Sequence, residues 1–242
     1  MHETLRKDQL YVTVDILILT EKSGGLKLLL SQRPLPPAQG KWALPGRFVA
    51  QEESAEETVR ELLAEMLPVR QYYSEQLYTF TQPGRDPRGR VLSVAYLVIV
   101  PWQRLQPALE QEGVTLKCFS VSTGESGFAL TSPEGVPLSM EELAFDHFAI
   151  IRTGVARLQG KIDYTDIGFQ FLNTPAAFPL SELQRVFEAV LGKAQDASNF
   201  RRFVRGRYED SGKIAPAEVA PPRGKGRPAT LYRWQNERRD RS

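Results

Sequence analysis

Glu57, Glu61 and Glu65 recur at every fourth position of the stretch ETVRELLAE. On a helix that spacing stacks the three carboxylates along one face. Aligned carboxylates repel one another, so such a row is either a solvated surface or the ligand set of a cation. A hard divalent ion such as Mg2+ takes oxygen donors, and once bound it can clamp phosphates and activate a water. Position 64, beside Glu65, is alanine and contributes no donor. A second stretch, QPGRDPRGR, puts Arg85, Arg88 and Arg90 in a Pro/Gly-rich turn. Guanidinium forks match phosphate oxygens, and the alternative is a solvated hairpin tip. A third stretch, ASNFRRFVR, divides into two faces if helical. Phe200, Phe203 and Val204 would pack, while Asn199, Arg201, Arg202 and Arg205 would point outward. Asn and Arg are the side chains that pair with adenine and guanine edges in a major groove.

The elements that must position these groups show in the pattern. Five β-rich runs, at 11–20, 26–33, 74–80, 91–100 and 114–121, are bounded by turn residues. Ser23, Gly24 and Gly25 read as a hairpin turn between the first two. Ser54 and Glu57 form a capping box that starts a helix, and Pro68 stops it. Many strands around one helix, with more structure following, indicate an α+β sandwich. From about Met140 the texture turns helical. Apolar positions 143, 144, 148, 150, 151, 155 and 158 make a stripe that Gly160 would end. Leu180, Leu183, Val186, Phe187, Val190 and Leu191 share one face of a further helix, closed by Gly192. A turn at 193–196 leads into the Asn199 helix, and two short helices across a tight turn are a helix-turn-helix. The strand, basic tip and strand that follow read as a wing. Arg223, Lys225 and Arg227 sit at its tip, suited to phosphates or a minor groove. No repeat of 20–50 residues is present.

Charge is divided along the chain. Residues 1–145 carry 14 basic and 18 acidic side chains, and residues 146–242 carry 17 and 11. An acidic front and a basic rear imply a polyanion partner for the rear part. Cys118 is the sole cysteine, which excludes a disulfide framework and a thiolate metal site. The charged N-terminus lacks an apolar core of signal-peptide type, and no apolar run reaches membrane length. The expectation is a soluble cytoplasmic protein.

Gly46, Glu52, Arg60-Glu61-Leu62 and Glu65 follow the spacing G-x5-E-x7-R-E-U-x-E-E-x-G-U, with U a bulky aliphatic, and so resemble the Nudix box. The preceding GKWALPG resembles the segment that leads into that box. The match departs at Ala64, Leu67 and Pro68, and the usual Gly-Gly is here Gly46-Arg47. The resemblance implies that Glu61 and Glu65 map to metal ligands, reduced to a weak or vestigial Mg2+ site with no cofactor required. It maps Arg60 and Glu52 to an ion pair bracing the loop, with Glu53 as the alternative to Glu52. QPGRDPRGR resembles Nudix domains that handle ADP-ribose. A ligand pocket of Trp42, Arg47, Glu61, Glu65, Arg85 and Arg88 is then implied; Trp42 either stacks on adenine or belongs to the core.

The order of the two halves, with FDHFAIIRTGVARLQGKIDYT between them and GRPATLYRW near the end, is similar to the Nudix-related transcriptional regulators. That implies an N-terminal Nudix-type α/β/α sandwich over 1–138, a connecting helix at 139–160 and a C-terminal winged helix over 161–242. It further implies a homodimeric repressor on a palindromic double-stranded DNA operator, controlling NAD-related genes. ADP-ribose or a related nucleotide would release it, with little or no hydrolysis. The alternative is an active metal-dependent pyrophosphatase of ADP-ribose or nucleoside diphosphates with an accessory nucleic-acid module, its site completed by Glu57, Glu112 or Glu125.

Overall fold

The structure is a computed structural model that describes residues 9–67, 69–124, 127–217 and 230–235. Strands Leu10–Lys22 (β1) and Gly25–Gln32 (β2) form the expected hairpin, with Ser23 and Gly24 both at positive φ. That is the conformation a two-residue hairpin turn demands. Trp42–Ala43 (β3) and Gly46–Phe48 (β4) are short strands laid on β2 and β1. Helix Ala55–Met66 (α1) begins at the Ser54 capping box. Tyr73–Phe80 (β5), Arg90–Ile99 (β6), helix Trp102–Leu109 (α2), Leu116–Gly124 (β7), Gly127–Thr131 (β8) and Pro137–Leu138 (β9) follow. The sheet runs β5-β6-β1-β2-β7-β8-β9, with β1 parallel to β6 and its other pairs antiparallel. All five expected strands are present. Helix α2 was not anticipated: it follows Pro101, contains Pro107 and has no side-chain cap.

The alternation along β1 makes the sandwich. Val14, Ile16 and Ile18 pack with Val59, Leu62 and Leu63 of α1 and Leu105 of α2. Leu17 and Leu19 face the other way, into a second core. Side chains of a strand alternate faces, so a strand covered on both sides reads as a nearly continuous apolar run.

The second layer comes from the rear half. Helix His147–Ile162 (α3) supplies Ile150, Ile151, Val155 and Leu158, and helix Leu180–Leu191 (α4) supplies Leu183, Val186, Phe187 and Val190. Both ends of α3 differ from the sequence expectation. Ser139 caps only a single 3-10 turn, Met140–Glu142, after which Leu143 bridges to Trp42 and Phe145 takes φ 52°. No helix runs through that conformation, so α3 begins afterwards. It continues past Gly160 because Ile162 is buried in the core.

A 3-10 turn Ile167–Phe171, strand Phe178–Pro179 (β10), α4, helix Ala197–Val204 (α5), a π-turn Arg205–Glu209 and strands Ile214–Pro216 (β11) and Leu231–Trp234 (β12) complete the winged helix. Its sheet is ordered β10-β12-β11. Gly192 ends α4 at φ 67°, as expected of a left-handed helix cap. The core behind the large sheet continues through α3 and α4 into Phe200, Val204 and Tyr208. The helix-turn-helix is therefore anchored in the same apolar core as the front sheet. The wing-tip residues Arg223, Lys225 and Arg227 lie outside the described residues.

Candidate ligand site and nucleic-acid interface

Strand β4 lies across β1, with Arg47 opposite Val14 and Gly46 opposite Asp15. Arg47 points toward α1. Its Nη2 donates to Glu61 Oε2 at 2.7 Å and to Glu53 Oε2 at 3.1 Å, and its Nη1 stands 3.6 Å from Glu65 Oε1. The hydrogen bond to Glu61 leads the interactions that raise the Arg47 pKa above its ordinary value. The expected Arg60–Glu52 ion pair is not formed; both residues are exposed. The loop is braced by Arg47 and Glu53 instead. Glu53 also accepts from Thr58 Oγ1 at 2.9 Å, which turns it inward beneath the helix start. Glu57 is occupied as well, accepting from Ser54 N at 2.8 Å and Ser54 Oγ at 2.9 Å. The row of three carboxylates is thus divided, with Glu57 acting as a cap.

A Nudix fold implies a divalent ion at this helix, and the residues here do not fit one. Arg47 already pairs with Glu61 and approaches Glu65, Ala64 is exposed without a donor, and Leu67 packs into the core where the box pattern has glycine. Among the described residues no three His, Cys, Asp or Glu side chains are grouped as a metal centre requires. Ala64 and Glu65 line a depression of about 480 Å³ together with Glu112. Glu125 lies outside the described residues.

Gly46 faces the opposite side of β4. A Cβ there would lie 2.4 Å from Asp15 Oδ1 and 2.7 Å from the Val14 carbonyl, a space only glycine fits. Asp15 is buried and accepts from Ser93 Oγ and, at 3.3 Å, from Arg85 Nη2. Arg85, with its side chain 4% exposed, donates to both carboxylate oxygens of Asp146, at 2.9 and 2.7 Å. Burial alone would lower the Arg85 pKa; Asp146 and Asp15 outweigh it and raise it. His147 Nδ1 accepts from Leu44 N at 2.9 Å, so the ring proton sits on Nε2, 3.5 Å from Asp15 Oδ1. Burial lowers the His147 pKa. The structure thus uses Arg85 to hold the start of α3, where the sequence suggested a phosphate ligand.

A cavity of about 400 Å³ opens here, lined by Pro37, Ala38, Gly84, Arg85, Phe145 and Asp146 among others. Arg33 lies 4.8 Å from the Phe145 ring centroid, and Arg88 5.8 Å from it and 5.0 Å from that of Phe48. Arg88 is held in place by Asp86, at 2.7–3.2 Å. Burial first, and then Arg88, lower the Arg33 pKa, since two like charges share this rim. Guanidinium groups packed on aromatic rings beside an open cavity suit an anionic, planar ligand. Arg33, Phe48 and Phe145 escaped sequence reasoning, which had no means of bringing residue 33 to residue 145. The junction stretch FDHF was the available pointer.

The expected ligand set therefore separates. Arg85 and Arg88 stand on the cavity side, and Arg47, Glu61 and Glu65 on the α1 side of β4. Trp42 is partly buried and packs edge-on against Phe119 at the margin of the core, centroids 4.8 Å apart.

Asn199, Arg201 and Arg202 of α5, and Arg205 just past its end, are exposed, and Phe200 and Val204 are buried. Asp196 caps the helix by accepting from Ser198 N and Asn199 N. Arg202 Nη2 donates to Asn199 Oδ1 at 3.0 Å, which holds these two exposed side chains together. Phe187 of α4 anchors the inner face against Phe200 and Phe203, at 5.2 and 5.5 Å. Tyr208 donates to the Thr165 carbonyl and Arg207 to that of Tyr164, tying the module to the end of α3. Trp234 stacks on Phe169 and finishes the base of the wing.

Residues 10–129 match the Nudix domain, and residues 168–234 the NrtR DNA-binding winged helix domain. The chain is 32% identical over 229 residues to the ADPR responsive transcriptional repressor NtrR of Acinetobacter baylyi, covering 92% of this chain and 81% of that protein. It is 32% identical over 152 residues to the ADP-ribose pyrophosphatase of Methanocaldococcus jannaschii, covering 61% of this chain and 77% of that one. The crystal structure of Shewanella oneidensis NrtR complexed with a 27mer DNA superposes with a TM-score of 0.73 at 32% identity, covering 93% of both chains. Among the described residues no helix is long and apolar enough to cross a membrane. With a Nudix sheet whose second helical layer carries an NrtR winged helix, the chain belongs to the NrtR family of Nudix-related transcriptional regulators.

Proposed function

We propose that this chain is a cytoplasmic, homodimeric repressor of NAD-related genes that binds a palindromic operator and is released by ADP-ribose, which it binds without hydrolysing. The parts are a sensing region at 1–138, a connecting segment from 139 that ends in α3 at Ile162, and a DNA-binding region beyond it to 242. The observation that carries the DNA half is the outer face of α5. Asn199, Arg201, Arg202 and Arg205 are held exposed by an inner face packed into the core. Such a helix presents its N-terminal residues to base edges in a major groove. The ligand is chosen on chemistry shared by two relatives, a repressor responsive to ADPR and a pyrophosphatase of ADP-ribose. Beside the cavity the diphosphate meets Arg33 and Arg88, which flank Phe145, and a ring of the nucleotide packs in the cavity that Phe145 lines. Arg85 and Asp146 lie in the same wall, so occupancy acts on the first residues of α3. A ligand shifts the DNA-binding arrangement only by its differential affinity for the two states.

The test is calorimetric titration with ADP-ribose, paired with an assay for AMP and ribose 5-phosphate in Mg2+. Saturable binding with no product above the uncatalysed background is expected. Product formed at an ordinary enzymatic rate would refute the sensor reading in favour of the pyrophosphatase.

A further inference from the structure

One guanidinium meets three carboxylates at the start and along the outer face of α1. Arg47 reaches Glu61 at 2.7 Å, Glu53 at 3.1 Å and Glu65 at 3.6 Å. These acids come from two elements, the loop before the helix and the helix itself, so the contact ties them together. A divalent ion bridging the same oxygens would make the same tie. Arg47 stands in place of the second glycine of the usual Gly-Gly, a residue that leaves such space open. Its own direction is set by β4, whose pairing with β1 places it opposite Val14 and aims it at α1. The two helix acids are half-exposed or more, Glu61 at 49% and Glu65 at 63%, so water reaches the cluster and an incoming ion would as well. What meets the ion is a positive charge already in place.

We propose that Arg47 is the resident cation of this site: its guanidinium takes the place of a divalent metal among Glu53, Glu61 and Glu65, and the chain takes its nucleotide without metal. The nucleotide clause rests on the sensor reading above; the cation clause does not. The site then differs from a merely damaged enzyme site. Restoring a carboxylate at Ala64 would leave the cation position still filled, so the residue that closes this chain to metal is Arg47.

The cation clause is tested with Mn2+ alone, counting free aqueous ion by its paramagnetic resonance signal. The full-length chain is compared with Arg47→Gln, both checked for folding by circular dichroism. The unaltered protein is expected to leave Mn2+ free, and Arg47→Gln to take it up at least tenfold more tightly. Should Arg47→Gln fail to fold, Arg47→Gly carries the same comparison. Uptake by the unaltered protein as strong as by the variant overturns the proposal, as does a folded variant that leaves Mn2+ free. For the nucleotide clause, the dissociation constant of ADP-ribose is expected to agree within twofold in chelator and in Mg2+. Tightening of tenfold or more by Mg2+ overturns that clause. Absence of ADP-ribose binding in both buffers overturns it together with the sensor reading, while the Mn2+ result still decides the role of Arg47.

Discussion

Arg202 and His147 show how differently single side chains reveal themselves. Arg202 lies on an exposed helix face, next to the Asn199 amide it bonds. Its replacement by alanine is expected to cost about 1–3 kcal/mol of operator affinity, roughly 5–150-fold, and to relax preference at one base pair. An anisotropy titration against single-base operator variants reads both; equal loss on every sequence would make Arg202 a phosphate contact instead. His147 is buried, and burial pushes its pKa below the ordinary value. In the unfolded chain a histidine titrates near pH 6.5, so below that pH the unfolded chain binds a proton that the folded chain refuses. Stability is full above about pH 6.5 and falls as pH drops toward the lowered folded pKa, by at most about 1.4 kcal/mol per pH unit for one such group. Asparagine at 147 keeps an acceptor for the Leu44 N–H and does not titrate. Urea melts of His147→Asn between pH 7 and 5 are expected to show a shallower decline than the parent, and an identical decline would exclude this histidine. The outer face of α5 was legible because a short helix sorts its own residues. The Arg85 network was not, because its partners Asp15 and Asp146 are 70 and 61 residues away in the chain.

Elements were legible where local chemistry decides them. The Ser54 cap, the hairpin turn at Ser23-Gly24 and the Gly192 stop all stand as expected, since each depends on two to four neighbouring residues. Tertiary contact decided the rest. Phe145 is bent out of helical geometry where its ring meets Arg33 and Arg88, and α2 forms without a cap because Leu105 and Ala108 are buried. Gly192 also carries an element contact. A Cβ there would lie 1.9 Å from the Thr123 carbonyl of β7, at a φ of 67° that already disfavours other residues. Gly192→Ala is expected to lower stability by at least about 2 kcal/mol, combining backbone strain with a backbone clash, and to shift the urea midpoint accordingly. A shift under about 0.5 kcal/mol would mean that α4 does not seat on β7 as described. At the other end of this layer, Asp146→Asn keeps the shape at the start of α3 and removes its charge on Arg85. The ratio of DNA affinities with and without saturating ADP-ribose is expected to shrink severalfold, while folding stays cooperative. An unchanged ratio would route the coupling elsewhere.

At the scale of the whole molecule, the decisive feature is the shared core. The second helical layer of a Nudix sandwich is here α3 and α4, and α4 is at once the first helix of the helix-turn-helix. Sequence periodicity found each helix but could not show that they pack on the sheet, because amphipathic stripes do not name their partners. Because α3 and α4 pack directly on the sheet, the proposed sensing mechanism predicts that a change at the cavity wall reaches the helix that positions α5. The basic rear part adds an electrostatic contribution to DNA affinity, which weakens as salt rises. The most direct measurement is fluorescence anisotropy of the full-length chain on a labelled operator duplex at fixed salt, titrated with ADP-ribose in the presence of chelator. The expected result is tight binding that ADP-ribose reverses without metal, and that AMP or ribose 5-phosphate does not. DNA binding indifferent to saturating ADP-ribose, or reversed only when Mg2+ is added, would contradict it.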